Sequence, residues 1–417
     1  MAARRAEGLV LQRDDHRGQA AILKGGLRFT LDDVDYLTGD DGRRALAEVD
    51  GLALTDASRI SDIASARAGF GYRAAVLVET TLLRRRAAAK FTDASTWLFT
   101  PEALEQATAG AVAAHRAERL AGLPVHDVTC SVGTELAALR HQGCQVVGSD
   151  VDEVRLAMAA HNVAVDGPEV LLCRADALSP VTRGTTVIAD PARRSAGRRT
   201  FHPRDYTPAL DDLLAIYTDR DLAVKCAPGI DFDLVRRMGF DGEIEVTSLG
   251  GGVREACLWS PGLGSPGVTR RATLLDRGEE ITDAESDDCS VATAGRWIVD
   301  PDGAVVRAGL VRHYGARHGL WQLDPAIAYL SGDELPDGVR GFEVIAELGF
   351  TERVLRQELS ARDVGAVEIL VRGVGVDPDV LRSRLRLRGS QRLSVVITRI
   401  GAGSASRAVA YLCRPSW

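Results

Sequence analysis

The chain has 417 residues and a mass of 44.6 kDa, a length that corresponds to roughly two or three domains. Hydrophobic residues make up 45% and charged residues 26%, which excludes a disordered or fibrous protein. No apolar run approaches the length of a membrane span, and the first residues lack the apolar core and cleavage site of a signal peptide. We therefore expect a cytosolic protein without a membrane partner.

The basic residues are almost all arginine. Only three of the 51 are lysines, namely Lys24, Lys90 and Lys225, so each lysine is a candidate for a role that an arginine cannot fill. The net charge of −7 argues against binding polyanions over the whole surface but leaves room for local basic patches. The seven cysteines form no CxxC pair, so neither a disulfide framework nor a metal site is expected.

The periodicity of apolar residues changes along the chain. Up to about residue 120 the apolar positions recur every three or four residues, which predicts helices at 56–64, 74–90 and 101–119. Short apolar runs then alternate with helical stretches, a pattern typical of a parallel sheet with helices on both faces. The strands are predicted at 125–130, 145–149, 170–173, 186–189 and 221–225, and the helices at 135–142 and 152–165.

The last third of the chain predicts a separate module. A glycine- and proline-rich stretch at 249–267 and an acidic loop at 283–288 mark the boundary. Beyond it the pattern predicts α+β structure, with strands at 341–345, 367–371 and 393–397 and helices at 307–318, 351–359 and 378–385. We expect three regions: a helical N-terminal region (1–95), an α/β domain (96–265) and an α+β substrate module (266–417).

The segment from Asp127 to Leu136, read as Asp-Val-Thr-Cys-Ser-Val-Gly-Thr-Glu-Leu, predicts a nucleotide-like site. A strand that ends in a small-residue turn and opens a helix lets backbone N–H groups approach a ligand, and Asp150, at the end of the next strand, can accept both ribose hydroxyls. In dinucleotide sites the start of that helix binds pyrophosphate. Here Ser131 and Gly133 are followed by the acid Glu135, which disfavours a diphosphate and favours S-adenosylmethionine, a cofactor with a positive charge and no phosphate.

Two further landmarks follow in order: Cys173-Arg-Ala-Asp176, and Ala189-Asp190-Pro191 at the end of the predicted fourth strand. With the Asp127 loop and Asp150, they resemble class I S-adenosylmethionine-dependent methyltransferases. The resemblance implies a Rossmann-like α/β methyltransferase domain. In that family the matching residues take these roles: Ser131 and Gly133 form the cofactor loop, Asp127 lies near the methionine end, Asp150 holds the ribose, Asp176 holds the adenine amine, and Asp190 with Pro191 positions the methyl acceptor.

A narrower resemblance involves both ends of the chain. The segment from Lys90 to Glu102 resembles the entry segment of trimethylguanosine synthase-like methyltransferases, and the C-terminal part, with Asp300-Pro301-Asp302-Gly303 and Arg372-Gly373-Val374, resembles the THUMP-like domain fused to bacterial members of that group. This resemblance implies an enzyme that acts on RNA, because THUMP-type modules bind RNA.

The sequence departs from that group at the catalytic motif. Ala192 and Arg193 stand where related enzymes place the second proline and an aromatic residue that stacks on the base. Stacking on the base would then come from the guanidinium of Arg193 or from an aromatic side chain elsewhere in the chain. The candidates are Trp97, Phe99, Phe201 and Tyr206, and for Trp97 and Phe99 packing between helices is an equally good interpretation.

Lys225, at the end of the strand beside the Asp190 loop, is the third candidate catalytic residue. Lys90, Asp190, Lys225 and Glu255 occur in the order of the Lys-Asp-Lys-Glu tetrad of ribose 2′-O-methyltransferases, although surface or structural roles for Lys90 and Glu255 are open as well. The neighbouring Cys226 lies near the position of the nucleophile in RNA 5-methyluridine methyltransferases, or is a small core residue.

Arginines cluster directly after Asp190. Arg193, Arg194, Arg198 and Arg199 suit a polyanionic substrate because they begin at the catalytic tip, whereas the runs at 84–86 and 382–388 are equally well explained as solvated faces. The function predicted is methylation of a base nitrogen in structured RNA. The alternatives are ribose 2′-O-methylation with Asp190 and Lys225, a small-molecule or protein methyltransferase, and a non-catalytic RNA-binding protein.

Overall fold

The computed structural model describes residues 22–23, 26–92, 94–164, 170–192, 194–195, 198–199 and 202–417. The chain forms two compact units, Met1–Gly122 with His126–Val181 and Leu123–Val125 with Thr182–Trp417. Among the described residues, no helix is both long and apolar enough to cross a bilayer.

The first unit is mostly helical before residue 120. After the short pair β1 (Ile22–Leu23) and β2 (Gly26–Leu27), its helices are α1 (Leu31–Thr38), α2 (Asp40–Asp50), α3 (Arg59–Phe70), α4 (Ala74–Ala87), α5 (Pro101–Gln106) and α6 (Gly110–Arg119). Helix α1 begins with a capping box, in which Thr30 and Asp33 satisfy each other's backbone N–H groups.

The helix predicted at 101–119 is interrupted, and Lys90 explains the break. Its ammonium donates to the carbonyls of Leu104 (2.7 Å) and Ala107 (3.3 Å), which satisfies the C-terminal end of α5. Its own carbonyl accepts from the amide of Gly110, the first residue of α6. The break therefore depends on a residue that precedes both helices, which local periodicity cannot reveal.

The rest of the first unit carries the cofactor-type elements. They are β3 (Pro124–Asp127), α7 (Thr134–His141), β4 (Gln145–Asp150), α8 (Glu153–Ala164) and β5 (Leu171–Arg174). The strand order is β3-β4-β5, and β4 and β5 are parallel as predicted. All five elements lie within four residues of their predicted bounds.

The second unit contains a mixed sheet in the order β13-β12-β10-β11-β9-β6. Its strands are β6 (Thr186–Ala189), β9 (Leu222–Cys226), β10 (Glu243–Leu249), β11 (Gly252–Trp259), β12 (Arg270–Leu274) and β13 (Glu279–Thr282). Between β6 and β9 lie a hairpin, formed by β7 (Arg194–Ser195) and β8 (Arg198–Arg199), and the helix α9 (Leu210–Ile216). Helix α10 (Phe232–Arg237) follows β9. The predicted parallel pairing holds for β6 and β9, but β11 is antiparallel to both neighbours. Gly250 and Gly251, both at positive φ, make the tight turn that reverses the chain.

The C-terminal part of the second unit is an α+β module. Its strands are β14 (Trp297–Val299), β15 (Trp321–Asp324), β16 (Ile327–Gly332), β17 (Gly341–Gly349), β18 (Val364–Arg372), β19 (Gln391–Ile400) and β20 (Arg407–Pro415), in the order β15-β16-β14-β17-β20-β19-β18. Its helices are α11 (Gly303–Ala308), α12 (Val311–Arg317), α13 (Glu352–Ala361) and α14 (Pro378–Leu385). The helix predicted at 307–318 is divided because Gly309 takes a left-handed conformation (φ 74°) that ends α11.

Candidate active site

The loop after β3 has a backbone conformation that few residues tolerate. Ser131 has φ 50° and Gly133 has φ 85°, so the chain turns tightly before α7 begins. The carboxylate of the buried Asp127 accepts the amide of Thr129 at 3.0 Å, which fixes the start of the turn. This local geometry places the three residues predicted from the sequence on one short loop.

Asp150 joins the end of β4 to that loop. Its Oδ2 accepts the amide of Ser131 at 3.0 Å and its Oδ1 accepts the amide of Asp152 at 2.9 Å. A carboxylate oxygen can accept two hydrogen bonds, so each oxygen retains capacity for a hydroxyl after these contacts. The residues therefore fit the ribose of a nucleoside cofactor.

Asp176 follows β5 and is exposed. Its Oδ1 accepts the amide of Leu178 at 2.9 Å, and the preceding Ala175 donates its amide to the carbonyl of Asp150 at 3.2 Å. Val151, which follows Asp150 directly, is an exposed apolar residue with 59% of its surface accessible.

The acid at the start of α7 is buried against a cation. Glu135 and Arg116 of α6 approach to 2.9 Å, and neither side chain is more than a tenth exposed. Arg116 balances the charge of the Glu135 carboxylate, so the argument that an acid at the start of this helix disfavours a diphosphate stays a prediction. Arg116 as its partner was not predicted.

Asn162 of α8 is a further residue near this loop that sequence analysis did not single out. It is fully buried, its Oδ1 accepts the amide of Leu98 at 2.7 Å, and its Nδ2 donates to the carbonyls of Leu98 (2.9 Å) and Val132 (2.8 Å). It thereby ties the cofactor loop to the segment that precedes α5.

Cys130, within the same loop, is not a reactive thiol. Burial and the carboxylates of Asp127 and Asp150 raise its pKa well above the ordinary range, so it stays protonated.

Asp190 and Lys225 are brought together in the second unit. Lys225, the penultimate residue of β9, donates its Nζ to Oδ2 of Asp190, which directly follows β6, at 2.5 Å. The Lys225 side chain is 6% exposed and that of Asp190 30%. The carboxylate is therefore the accessible member of the pair, and the ammonium lies behind it.

The backbone after Asp190 is held in place. Ala192 and Thr207 exchange two backbone hydrogen bonds of 2.9 Å, which fixes the turn through the buried Pro191. The hydroxyl oxygen of Tyr206 accepts the amide of Ala227 at 3.1 Å, and the ring is buried. Tyr206 is thus a core residue, and the suggestion that it stacks on a base is wrong.

The other aromatic candidates also pack internally. Trp97 and Phe99 form a buried cluster with Phe91, with ring centroids 5.6–6.1 Å apart. Their packing interpretation is therefore favoured. Phe201 and Arg193 lie outside the described residues.

The sequence left both catalytic and structural roles open for Lys90, Cys226 and Glu255. Lys90 caps α5, as described above, and Cys226 is fully buried with its Sγ directed to the carbonyl of Val224, so these two have structural contacts. Glu255 is buried on β11, where its strand neighbour Cys257 pairs with Lys225. Since alternate residues share a face of a sheet, Glu255 and Lys225 lie on the same face.

The arginines after Asp190 lie partly on a hairpin. Arg194 is paired with Arg199 and Ser195 with Arg198 in the β7–β8 register. Arginines of the run at 84–86 instead serve the fold: Arg84 donates to the carbonyls of Trp97 and Thr96. Arg382 of the third run donates to Val367 and pairs with Asp379.

The alternating strands and helices after residue 124 form a Rossmann-like α/β arrangement of the type found in class I methyltransferases. Two sequences from Mycobacterium tuberculosis, of the strains CDC 1551 and H37Rv, are each 68% identical to this chain over 356 residues, covering 84% of it and 99% of the relative. Both are named uncharacterized S-adenosylmethionine-dependent methyltransferases. This chain belongs to the family of S-adenosylmethionine-dependent methyltransferases, and S-adenosylmethionine is its cofactor.

Two further comparisons concern the fold. A crystal structure of a candidate methyltransferase from Porphyromonas gingivalis W83 superimposes with a TM-score of 0.73 at 19% identity, covering 93% of this chain and all of the other. Residues 339–415 match a family described as THUMP domain-like. The predicted α/β methyltransferase fold with a C-terminal THUMP-like domain is confirmed. Among the described residues, no group of three or more His, Cys, Asp and Glu side chains is arranged to hold a metal ion.

Proposed function

We propose that this enzyme methylates a base nitrogen in structured RNA, and that Asp190, Pro191 and Lys225 form its catalytic group. The observation that carries the proposal is the pair at the ends of β6 and β9, where a buried ammonium lies 2.5 Å from a partly exposed carboxylate. That arrangement presents an acceptor of hydrogen bonds, backed by a fixed positive charge, to whatever approaches the end of β6.

S-adenosylmethionine supplies an electrophilic methyl group, and we assign its binding to Asp127, Ser131, Gly133, Asp150 and Asp176. An exocyclic amine donates its N–H groups to the Asp190 carboxylate and the Pro191 carbonyl, which directs the nitrogen lone pair outward. With the cofactor bound, the N–C bond would form as the bond between sulfur and the methyl carbon breaks, and a neutral thioether would leave with that electron pair. The Asp190 carboxylate would stabilise the positive charge that develops on the nitrogen and would accept the N–H proton, which would then pass to solvent.

The position of Lys225 favours a base nitrogen over a ribose oxygen. Transfer to a hydroxyl needs a base or a charge clamp at the oxygen, but the Lys225 ammonium faces Asp190 and is almost fully buried. Lys90, which the ribose mechanism also requires, donates to the end of α5. We assign Lys225 the role of holding Asp190 in place and balancing its charge.

RNA as the substrate is supported by the THUMP-like region at 339–415 and by the arginine hairpin. Arg193, Arg194, Arg198 and Arg199 follow Asp190 within nine positions of sequence. Arginine is well suited to contact phosphates, so we assign these four residues to the RNA backbone. We further assign the chain to the trimethylguanosine synthase-like group, with domain bounds at 95 and 265.

The test is transfer of a tritiated methyl group to RNA from a strain that lacks the gene, followed by mass spectrometry of the nucleosides. We expect a base-methylated nucleoside from the parent, at least a hundredfold slower transfer by Asp190→Ala, and partial activity of Lys225→Arg. Calorimetry should show cofactor binding by Asp190→Ala but not by Asp150→Ala. A 2′-O-methylated nucleoside would instead support the ribose mechanism, and RNA without any new modification would refute RNA as the substrate.

A further inference from the structure

The loop that follows β9 is held by a side chain from far along the chain. Arg307 of α11 donates its Nε to the carbonyl of Pro228 at 2.6 Å and its Nη2 to the carbonyl of Ile230. Its guanidinium carbon lies 4.8 Å from the centre of the Phe232 ring, at the start of α10. One planar cation thus binds two carbonyls of a short loop and stacks on the residue where the loop ends.

This loop begins two residues after Lys225. The amide of Ala227 donates to Tyr206, and the amide of Ile230 donates to the carbonyl of Ala227 at 3.0 Å. The end of β9 is therefore fixed from one side by Tyr206, which follows the Asp190 turn, and from the other by Arg307.

Arg307 projects from a helix that is itself immobilised. Ala304, Val305 and Ala308 of α11 are fully buried in the core that contains Val246 and Ala272 of the mixed sheet. A Cβ on Gly303 would lie 2.7 Å from a methyl group of Val253, so the start of the helix touches β11. Because α11 is packed in this core, the guanidinium of Arg307 can hold the loop in a fixed position.

The other end of the same segment is tied to the C-terminal sheet. Asp300, which directly follows β14, accepts from Nη2 and Nε of Arg372, at the end of β18, at 2.7 and 3.2 Å. The guanidinium of Arg372 also lies 5.3 Å from the centre of the Tyr329 ring. The segment 300–308 therefore connects the THUMP-like module to the loop beside the catalytic lysine through two arginines, one at each end.

We propose that Arg307 is a positioning residue for methyl transfer, which holds the loop 227–230 so that Lys225 meets Asp190 in the reactive geometry. The proposal rests on the function proposed above for Asp190 and Lys225. Its physical basis is that small misplacements of catalytic groups lower rates strongly without changing how tightly ligands bind. A lysine at 307 could reach one of the two carbonyls but could not form the planar fork.

The experiment compares Arg307→Ala, Arg307→Lys and a control, Arg312→Ala. Arg312 is an arginine of α12 that also donates to a backbone carbonyl, that of Asp287, and its ion pair is with the carboxylate of the same residue. For each protein we would measure hydrogen exchange of the Ala227, Gly229 and Ile230 amides by mass spectrometry, cofactor affinity by calorimetry, and kcat and KM for methyl transfer to RNA from the deletion strain.

We expect Arg307→Ala to exchange the loop amides at least about tenfold faster, and to lower kcat by about 10- to 100-fold with cofactor affinity and KM within about twofold of the parent. Arg307→Lys should recover part of both losses, and Arg312→Ala should match the parent. Parental exchange and kcat in Arg307→Ala would overturn the proposal, as would a lower kcat without faster exchange. Should Arg307→Ala fail to fold, the same criteria apply to Arg307→Lys. A third result separates this proposal from the function on which it rests. If Arg307→Ala exchanges its loop amides faster but the parent protein methylates no RNA, the loop contact is correct and the proposed function is wrong.

Discussion

At the scale of single residues, two glycines that bracket α7 have the same backbone conformation but different surroundings. Gly133 has φ 85°, and a Cβ there would lie 3.2 Å from Val163 and 3.3 Å from Ala159 of α8. Gly143 has φ 74° with open space around it. Gly133 is therefore required both by the turn and by close packing of the cofactor loop on α8.

Substituting each glycine by alanine separates these two requirements. We expect Gly143→Ala to lower the free energy of unfolding by about 1–2 kcal/mol, the cost of a left-handed alanine. Gly133→Ala should lose more than that, and it should also weaken cofactor binding because the loop must move away from α8. Urea unfolding and calorimetry measure the two effects. Equal losses of stability with parental cofactor affinity would contradict a packing role for Gly133.

Some site residues could be predicted from neighbouring sequence, and others depend on partners that are distant in the sequence. Ser131, Gly133 and Asp150 were predicted because turn chemistry and strand ends are read from neighbouring residues. Asn162 and Arg116 were missed as functional residues because their partners lie far away in the sequence, at Leu98 and Val132 for the first and at Glu135 for the second. No local pattern records such contacts.

At the scale of elements, a charged cluster joins α12 to β13. Glu279, the first residue of β13, accepts from Nε2 of His318 at 2.7 Å and lies near Arg277 and Arg317. Burial alone would raise the pKa of Glu279, but the hydrogen bond from His318 and the neighbouring arginines hold that pKa below its usual value. The contact thus stabilises the ionised form.

This cluster predicts a pH dependence of stability. Because the folded protein holds the pKa of Glu279 below its unfolded value, the cluster stabilises the fold above about pH 5 and loses that contribution as the pH falls through the lowered pKa. We expect Glu279→Gln to reduce the free energy of unfolding by about 1 kcal/mol at pH 7, with the difference from the parent shrinking toward pH 3. Urea unfolding over this range is the measurement, and a constant difference would contradict the assignment.

At the scale of the whole molecule, a net charge of −7 means that any contact with RNA must be local. The structure identifies which basic side chains serve the fold instead. Arg84 and Arg382 donate to backbone carbonyls, and Arg382 is also paired with an acid. Under the function proposed here, the hairpin at 194–199 carries the phosphate contacts.

The salt dependence of RNA binding tests this distribution. Each phosphate contact to a single strand contributes about −0.7 to the slope of log K against log salt concentration. Replacing Arg194, Arg198 and Arg199 together by alanine should therefore reduce that slope by about 2. Arg382→Ala is the matched control and should leave the slope unchanged. A control that weakens binding as much as the hairpin variant would refute a local contact.

The sequence by itself determined the cofactor class and the type of fold. The alternation of strands and helices predicted the α/β fold, because periodicity is set by nearby residues. The cofactor class came from the resemblance of the segments around Asp127, Asp150, Asp176 and Asp190 to class I methyltransferases. The pair formed by Asp190 and Lys225 was also within reach, since the ends of parallel strands meet at one edge of a sheet.

Only the tertiary structure decided which residues support those groups and where helices break. Lys90 interrupts a continuous helical pattern from a distance, and the Gly250-Gly251 turn adds an antiparallel strand to a sheet predicted as parallel. Arg307 reaches the Pro228 carbonyl across 79 positions of sequence. The physical reason is that these contacts form only when distant segments are packed together, and side-chain hydrogen bonds to backbone carbonyls leave no periodic trace in the sequence.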